Sequence, residues 1–243
     1  MEIGLIAAAF ALGGVLKGAI GVGAPLLAVP LIAIHYGVPF AVAIFVVPNI
    51  VSNAWQAWTY RRQNLPGRFV WTYAPAGGLG AGIGTVLLAN LPASVLSTMA
   101  AAVVFSYVAF RLLRPGWQLA YSRAAPLAFP LGMLAGLLQG ASGLSAPASM
   151  TFLNAMRLER GQFIFAISSL FVAMGLVQFP LLTGYGILTP EKMLYGGLAL
   201  LPLALGMPAG AFLVRHVSRD TFDKLVLLLL FILALKLLFD AFF

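Results

Sequence analysis

The sequence predicts an all-α polytopic membrane protein built from two inverted repeats, each a broken re-entrant helical hairpin plus three transmembrane helices. Three observations lead there. Of 243 residues, 62% are hydrophobic and only 8% charged, with a mean hydropathy of +1.02, whereas a soluble domain carries about a quarter charged residues. Six apolar runs have the length of a bilayer crossing. Two longer runs are each interrupted by a glycine-rich stretch, and the interruptions match each other.

This composition excludes a soluble enzyme and a disordered tail. The net charge of +8 does not point to nucleic acid, because the fourteen Lys and Arg residues stand singly or in pairs between apolar runs; that distribution is orientation charge on a membrane protein. With no cysteine there is no disulfide or thiolate metal site. The start, Met1-Glu2-Ile3-Gly4, lacks a basic leader, so the first apolar segment is expected to stay in the mature fold.

In chain order, the first repeat (1–117) holds a hairpin at 3–36 and spans at 38–60, 69–90 and 93–113. The second (118–243) holds a hairpin at 125–156 and spans at 162–182, 193–214 and 222–239. A span needs about 20 apolar residues at 1.5 Å each. The two hairpin segments exceed thirty residues and break at Gly18-Ala19-Ile20-Gly21-Val22-Gly23 and at Gly140-Ala141-Ser142-Gly143-Leu144-Ser145, each followed by Ala-Pro. The breaks are expected to leave arms of about a dozen residues, too short to cross upright. Basic residues choose between a broken crossing and a hairpin. If both segments return to the side they entered, eleven basic residues, Arg61 to Lys224, share one side against Lys192 and Lys236 on the other; if both cross, the split is eight to five. The hairpin reading fits the positive-inside rule better, with the basic loops cytoplasmic.

The segments match at an offset of 122 residues. Gly14, Leu16, Gly18, Ala19, Gly21, Ala24 and Pro25 fall on Gly136, Leu138, Gly140, Ala141, Gly143, Ala146 and Pro147, and Gln56 falls on Gln178. Near an offset of 126, Gly80 and Gly84 fall on Gly206 and Gly210. The chain reads as a duplication. A hairpin plus three spans is an odd number of crossings, so the second half runs oppositely to the first, the plan of many secondary transporters.

Irregular backbone at membrane depth survives only where protein or a water-filled cavity satisfies it. A new half-helix starts after each break, with Pro25 or Pro147 near its first position. The amides around Leu26-Leu27 and Ala148-Ser149 are expected to lack helical partners and, with the helix dipole, to welcome an anion at the midplane between the two starts. Gly18, Gly21, Gly23, Gly140 and Gly143 would let it approach the backbone. Lys17 either adds a positive charge there, with Gln139 as its neutral counterpart, or snorkels to an interface. Ser142 and Ser145 either donate to the anion or simply cap the half-helix. Asn49, Asn53 and Gln56 share one helical face, answered by Gln178; such a stripe lines a pathway or bonds neighbouring helices. The glycine rows Gly78, Gly80, Gly82, Gly84, and Gly206 with Gly210, read as close helix packing. Trp55, Trp58, Tyr60 and Trp71 read as an interfacial belt. All six acids lie at or outside span ends, so no carboxylate proton relay is visible, and no P-loop or cofactor motif is present.

The run Gly18-Ala-Ile-Gly-Val-Gly-Ala-Pro-Leu-Leu-Ala-Val-Pro30, repeated in weaker form at Gly140 to Pro147, resembles the glycine-rich signature opening each half of the TauE/SafE family. The second copy departs from it at Ser142 and Ser145. Over essentially the whole chain, the resemblance implies a multi-pass protein of a bacterial or archaeal cytoplasmic membrane that moves sulfite, sulfonates or other small sulfur anions. Its partners would be that anion and the lipid bilayer, with no nucleic acid and no cofactor; oligomeric state stays open. An anion channel or a lipid-handling protein would use a similar cavity. An intramembrane serine protease would use Ser142 in its Gly-Ala-Ser-Gly setting, but only His35 and His216, both at span boundaries, are available as a base.

Overall fold

The computed structural model describes residues 3–22, 24–114, 116–216 and 219–242; Gly23 lies outside them, as do the side chains of Arg215, Arg219 and Lys224. Among the described residues there are helices and no strands: α1 (Ile3–Ile20), α2 (Ala24–Tyr36), α3 (Val38–Thr59), α4 (Phe69–Asn90), α5 (Ala93–Leu113), α6 (Tyr121–Ala124), a 3-10 turn (Ala125–Leu127), α7 (Ala128–Ser142), α8 (Ala146–Ala155), α9 (Arg160–Gly184), α10 (Pro190–His216) and α11 (Arg219–Phe242). Six helical stretches among them are long and apolar enough to cross a membrane: Ile3–Ile20, Val38–Thr59, Ala93–Leu113, Tyr121–Ser142, Arg160–Gly184 and Pro190–Leu213.

Two of those six, Ile3–Ile20 and Tyr121–Ser142, are first arms of the broken segments, which corrects the expectation of dozen-residue arms. At 18 residues α1 is about 27 Å long, while its returning partner α2 has 13 residues and α8 has 10. The reason is local. Gly18 and Gly140 stay helical, and the helices end only where Gly21 (φ 84°) and Gly143 (φ 73°) turn left-handed, the conformation glycine takes without penalty. In turn, α4 is a full 22-residue helix but too rich in glycine to rank among the six apolar spans.

That glycine is spent on packing. A methyl group at Gly80 would overlap Met133 O and press on Leu137 N, and one at Gly84 would overlap Leu137 O and press on Ala141 N. Facing them, Gly136 and Gly140 sit against the backbone of Gly77 and Ala81. On the other side of the molecule, Gly206 and Gly210 meet Ala11, Val15 and Ala19, while Gly14 and Gly18 meet Leu203 and Met207. The register rises together along each pair, so α4 runs parallel to α7, and α10 parallel to α1, with backbones in contact as small-xxx-small spacing permits. Between these pairs α3 packs on α9, and α5 on α11.

Both broken segments double back. A methyl group at Gly13 would touch Ala24 O and Ala28 Cβ, so the first turn of α2 lies beside the middle of α1. Leu119 N donates to Ala155 O at 2.8 Å, joining the approach to the second segment with its end. The same end of the bundle gathers the loop before α4 and the start of α9, because the Tyr121 hydroxyl donates to Pro66 O and Gly161 lies against Gln63. Arg61, Arg62, Arg68, Arg114, Arg157 and Arg160 belong to these connections. Lys192 is at the opposite end, donating to Ile187 O at 2.6 Å and standing over the Phe40 ring.

Candidate functional site

Polar side chains inside this bundle concentrate on α3, α9 and the ends of α1 and α7. On α3, Asn49, Asn53 and Gln56 recur on one helical face and all are buried. Asn49 Nδ2 donates to Phe171 O of α9 at 3.3 Å. Asn53 Nδ2 donates to Asn49 O and Oδ1, both at 2.8 Å, which leaves Asn53 Oδ1 to accept from Lys17 Nζ at 3.0 Å. One turn further, Gln56 Nε2 donates to Gly21 O at 3.0 Å and Gln56 Oε1 accepts from Ser168 Oγ of α9 at 3.4 Å. A single stripe on α3 thus carries the end of α1. Lys17 is 3% exposed; it does not snorkel, and Asn53 is its partner.

The second break forms its own cluster. Gln139 Oε1 accepts from Ser145 Oγ at 2.7 Å and from Ser145 N at 3.4 Å, and Gln178 Nε2 donates to Gln139 O at 3.4 Å. Ser142 Oγ donates back to Leu138 O at 2.8 Å. Neither serine caps α8 through its side chain, since both hydroxyls are engaged on α7.

Two expectations about anion binding fail here. The amides of Ala148 and Ser149 both donate to Ser145 O, at 3.1 and 2.9 Å, so they are not vacant donors; helix α8 closes its first turn on its own N-cap carbonyl. The matching turn of α2 depends on Gly23, outside the described residues. The breaks also do not face one another at the midplane. Gly21 is bonded to Gln56 while Gly143 lies against Val29 and Val42, and from Val42 to Gln56 is about 21 Å of helix. One small oxyanion cannot touch both. The first arms are long enough to carry their breaks past each other to opposite sides of the centre, where Asn49 meets Phe171.

Several glycine and proline positions have a packing explanation. Gly18 and Gly140 are taken up by the helix contacts above. Pro25 is buried in the first turn of α2. Pro147 lines an apolar groove of 440 Å³ between α5, α7 and α8, with Val103, Leu134 and Phe152, rather than the break.

A cavity of 640 Å³ reaches the first break. Leu16, Gly18, Ala19 and Ile20 line it on one side, and Arg111, Arg157, Arg160, Tyr107 and Asn154 on the other. Lys17, between the lining residues Leu16 and Gly18 in sequence, is not itself part of the wall and is turned instead to Asn53. Sequence reasoning missed this arginine group, because α5, the α8–α9 turn and the start of α9 are remote along the chain and their arginines read only as orientation charge.

A family model described as Sulfite exporter TauE/SafE matches residues 5–237. No curated protein and no solved structure matches the chain.

Proposed function

The chain belongs to the sulfite exporter TauE/SafE family, a family of membrane transporters, and we propose that it is a secondary transporter or facilitator for a small sulfur-containing oxyanion such as sulfite, thiosulfate or a sulfonate. The membrane is the cytoplasmic membrane of a bacterium or archaeon, with the arginine-bearing end inside.

The observation that carries this reading is Lys17. It is the one basic side chain in the buried polar group, its hydrogen-bond partner is the neutral Asn53, and among the described residues no carboxylate pairs with it. A cation held in a membrane interior is costly unless compensated. A translocating oxyanion supplies that compensation; the Asn53 amide is spent on Asn49, while Asn49 and Gln56 each keep one amide hydrogen beyond the bonds to Phe171 O and Gly21 O. The anion approaches Lys17 through the cavity that reaches the last turn of α1.

The two-repeat plan, 1–117 and 118–243 in opposite senses, gives such a site an alternating route. The helix contacts support it. At the offset of 126, Gly80 and Gly84 of α4, packed against α7, answer to Gly206 and Gly210 of α10, packed against α1, and the bond from Asn49 to Phe171 joins positions 122 apart. The parallel pairs α1 with α10 and α7 with α4 are counterparts, and their hairpins start from opposite ends of the bundle. Arg61, Arg157 and the other basic connections gather at one end, as re-entrant hairpins require.

Flux of radiolabelled sulfite and thiosulfate into proteoliposomes tests the reading. Saturable uptake that falls at least tenfold in a folded Lys17→Ala variant is expected. No flux of any sulfur oxyanion refutes it, and uptake linear in concentration replaces the transporter by a channel.

A further inference from the structure

We propose that the buried site at Lys17 selects the singly charged form of its substrate, hydrogen sulfite or a sulfonate, over dianions such as sulfite and thiosulfate; this narrows the transport reading above and rests on it. Charge balance decides it. Lys17 is the one charged side chain among the buried polar residues described, the others being amides and hydroxyls, and Asn53 Oδ1 is the partner of its Nζ. The helices around it add no second charge beside it. Along its whole length α3 has no Asp, Glu, Lys, Arg or His, and α9 has only Arg160, an exposed residue at its first position. Lys17 is the only charged residue of α1. On α2, His35 and Tyr36 stand in the last turn, away from the break. Helix α10 places Glu191, Lys192 and Tyr195 in its first turns at the opposite end, and Arg215 and His216 beyond the contact of Gly210 with Ala19.

An ammonium has three hydrogens, of which Asn53 takes one. Two remain, and Asn49 and Gln56, each about one turn from Asn53 along α3, keep one amide hydrogen apiece. These donors suit the oxygens of a small oxyanion, while the charge behind them is a single positive one. A monoanion makes a neutral pair with Lys17; a dianion leaves one negative charge unbalanced in the membrane interior. One unbalanced charge at that depth corresponds to about a hundredfold in affinity. The second repeat does not make up the difference. At the offset of 122, Lys17 is matched by the neutral Gln139 and Asn53 by Gly175, where the room for a side chain is taken by Ile50. Arg157 and Arg160 of the cavity are exposed, so water and salt screen them and they attract either ionic form.

A proton travels with the substrate as a result. Hydrogen sulfite that arrives in a compartment above its second ionisation releases its proton and becomes sulfite, so sulfite flux moves acid with no carboxylate relay in the helices.

Proteoliposomes loaded with a pH-sensitive dye test this with labelled sulfite, methanesulfonate and thiosulfate. The last two are both tetrahedral and differ by one charge at every working pH. In the parent protein, kcat/KM for methanesulfonate is expected to exceed that for thiosulfate about a hundredfold. Above the second ionisation, KM for total sulfite is expected to rise about tenfold per pH unit, and the lumen to acidify as sulfite enters. Methanesulfonate flux stays flat over the same range and moves no acid. Lys17→Arg keeps this order of substrates, and Lys17→Gln, which carries the residue of the matching position in the second repeat, loses at least tenfold of the methanesulfonate flux. Thiosulfate flux equal to or above methanesulfonate flux, or a sulfite KM that does not change with pH, overturns the charge selection and leaves transport standing. Equal pH slopes for sulfite and methanesulfonate assign the titration to the protein and overturn it as well, as does a folded Lys17→Gln variant with the parent's methanesulfonate flux. Absence of flux for all three substrates overturns the transport reading and this one with it.

Discussion

Gly84→Ala places one methyl group between two backbones. The added carbon would stand 2.7 Å from Ala141 N and 2.8 Å from Gly140 Cα, besides overlapping Leu137 O, where ordinary contact starts near 3.4 Å. Helices α4 and α7 must therefore part by at least about 0.7 Å, and by more at Leu137 O; a gap of that size forfeits about a quarter to a half of the dispersion well for the atoms along the seam. Overpacking of this kind costs about 1–3 kcal/mol. At about 2–4 °C per kcal/mol for a chain of this size, the thermal midpoint of the purified protein is expected to fall by about 2–12 °C. Gly210→Ala, which presses on Val15 and Ala19 in the equivalent seam, should fall comparably. Gly197→Ala is the control: nothing lies within 4 Å of its added carbon, and alanine is worth up to about 1 kcal/mol more than glycine inside a helix. Midpoints read by intrinsic fluorescence in one detergent decide the matter. If Gly84→Ala and Gly210→Ala are as stable as Gly197→Ala, the close-packed seams described above are wrong.

Other outcomes follow from the same contacts. Gln56→Leu removes the donor to Gly21 O and the acceptor for Ser168; loss of a buried hydrogen bond with an orphaned carbonyl costs about 1–3 kcal/mol, and a lower thermal midpoint together with slower flux is expected. Ser142→Ala should leave transport within about twofold of the parent, because that hydroxyl is spent on Leu138 O, and no fluorophosphonate should label Ser142; serine-dependent labelling would restore the protease reading. Tyr73 is wholly buried and its hydroxyl is the one buried side-chain polar atom with no hydrogen-bond partner among the described residues. Tyr73→Phe is therefore expected to leave the midpoint unchanged or raise it, by up to about 1–3 kcal/mol of relieved desolvation; a clear drop would mean that the hydroxyl has a partner.

Much of the helix plan was legible because length and apolarity act locally. The expected span 69–90 coincides with Phe69–Asn90 and 93–113 with Ala93–Leu113, while 162–182, 193–214 and 222–239 were short by two or three residues at each end. The hidden part was non-local. Gly18 and Gly21 look alike in the sequence, yet one is held helical by Met207 and the other ends the helix; only the partner α10 separates them. The stripe Asn49, Asn53, Gln56 was visible as a face, but that Lys17 would bond to it rather than reach for an interface depends on how α1 leans on α3. Of the two readings of Ser145, capping fails for a related reason: Gln139 offers its hydroxyl an acceptor that capping rules do not anticipate. The arginine cavity needed three distant segments to meet, and no spacing rule encodes that.

The way α1 lies along α10 has a consequence for how this protein is made. A ribosome delivers the amino-terminal arm long before the helix whose backbone it will touch exists, so Gly14 and Gly18 must wait in the bilayer or the translocon while nearly the entire polypeptide is synthesised. Severing the chain between Leu113 and Tyr121 should accordingly give fragments that are each unstable alone and recover only when co-expressed, each lending the other its missing wall.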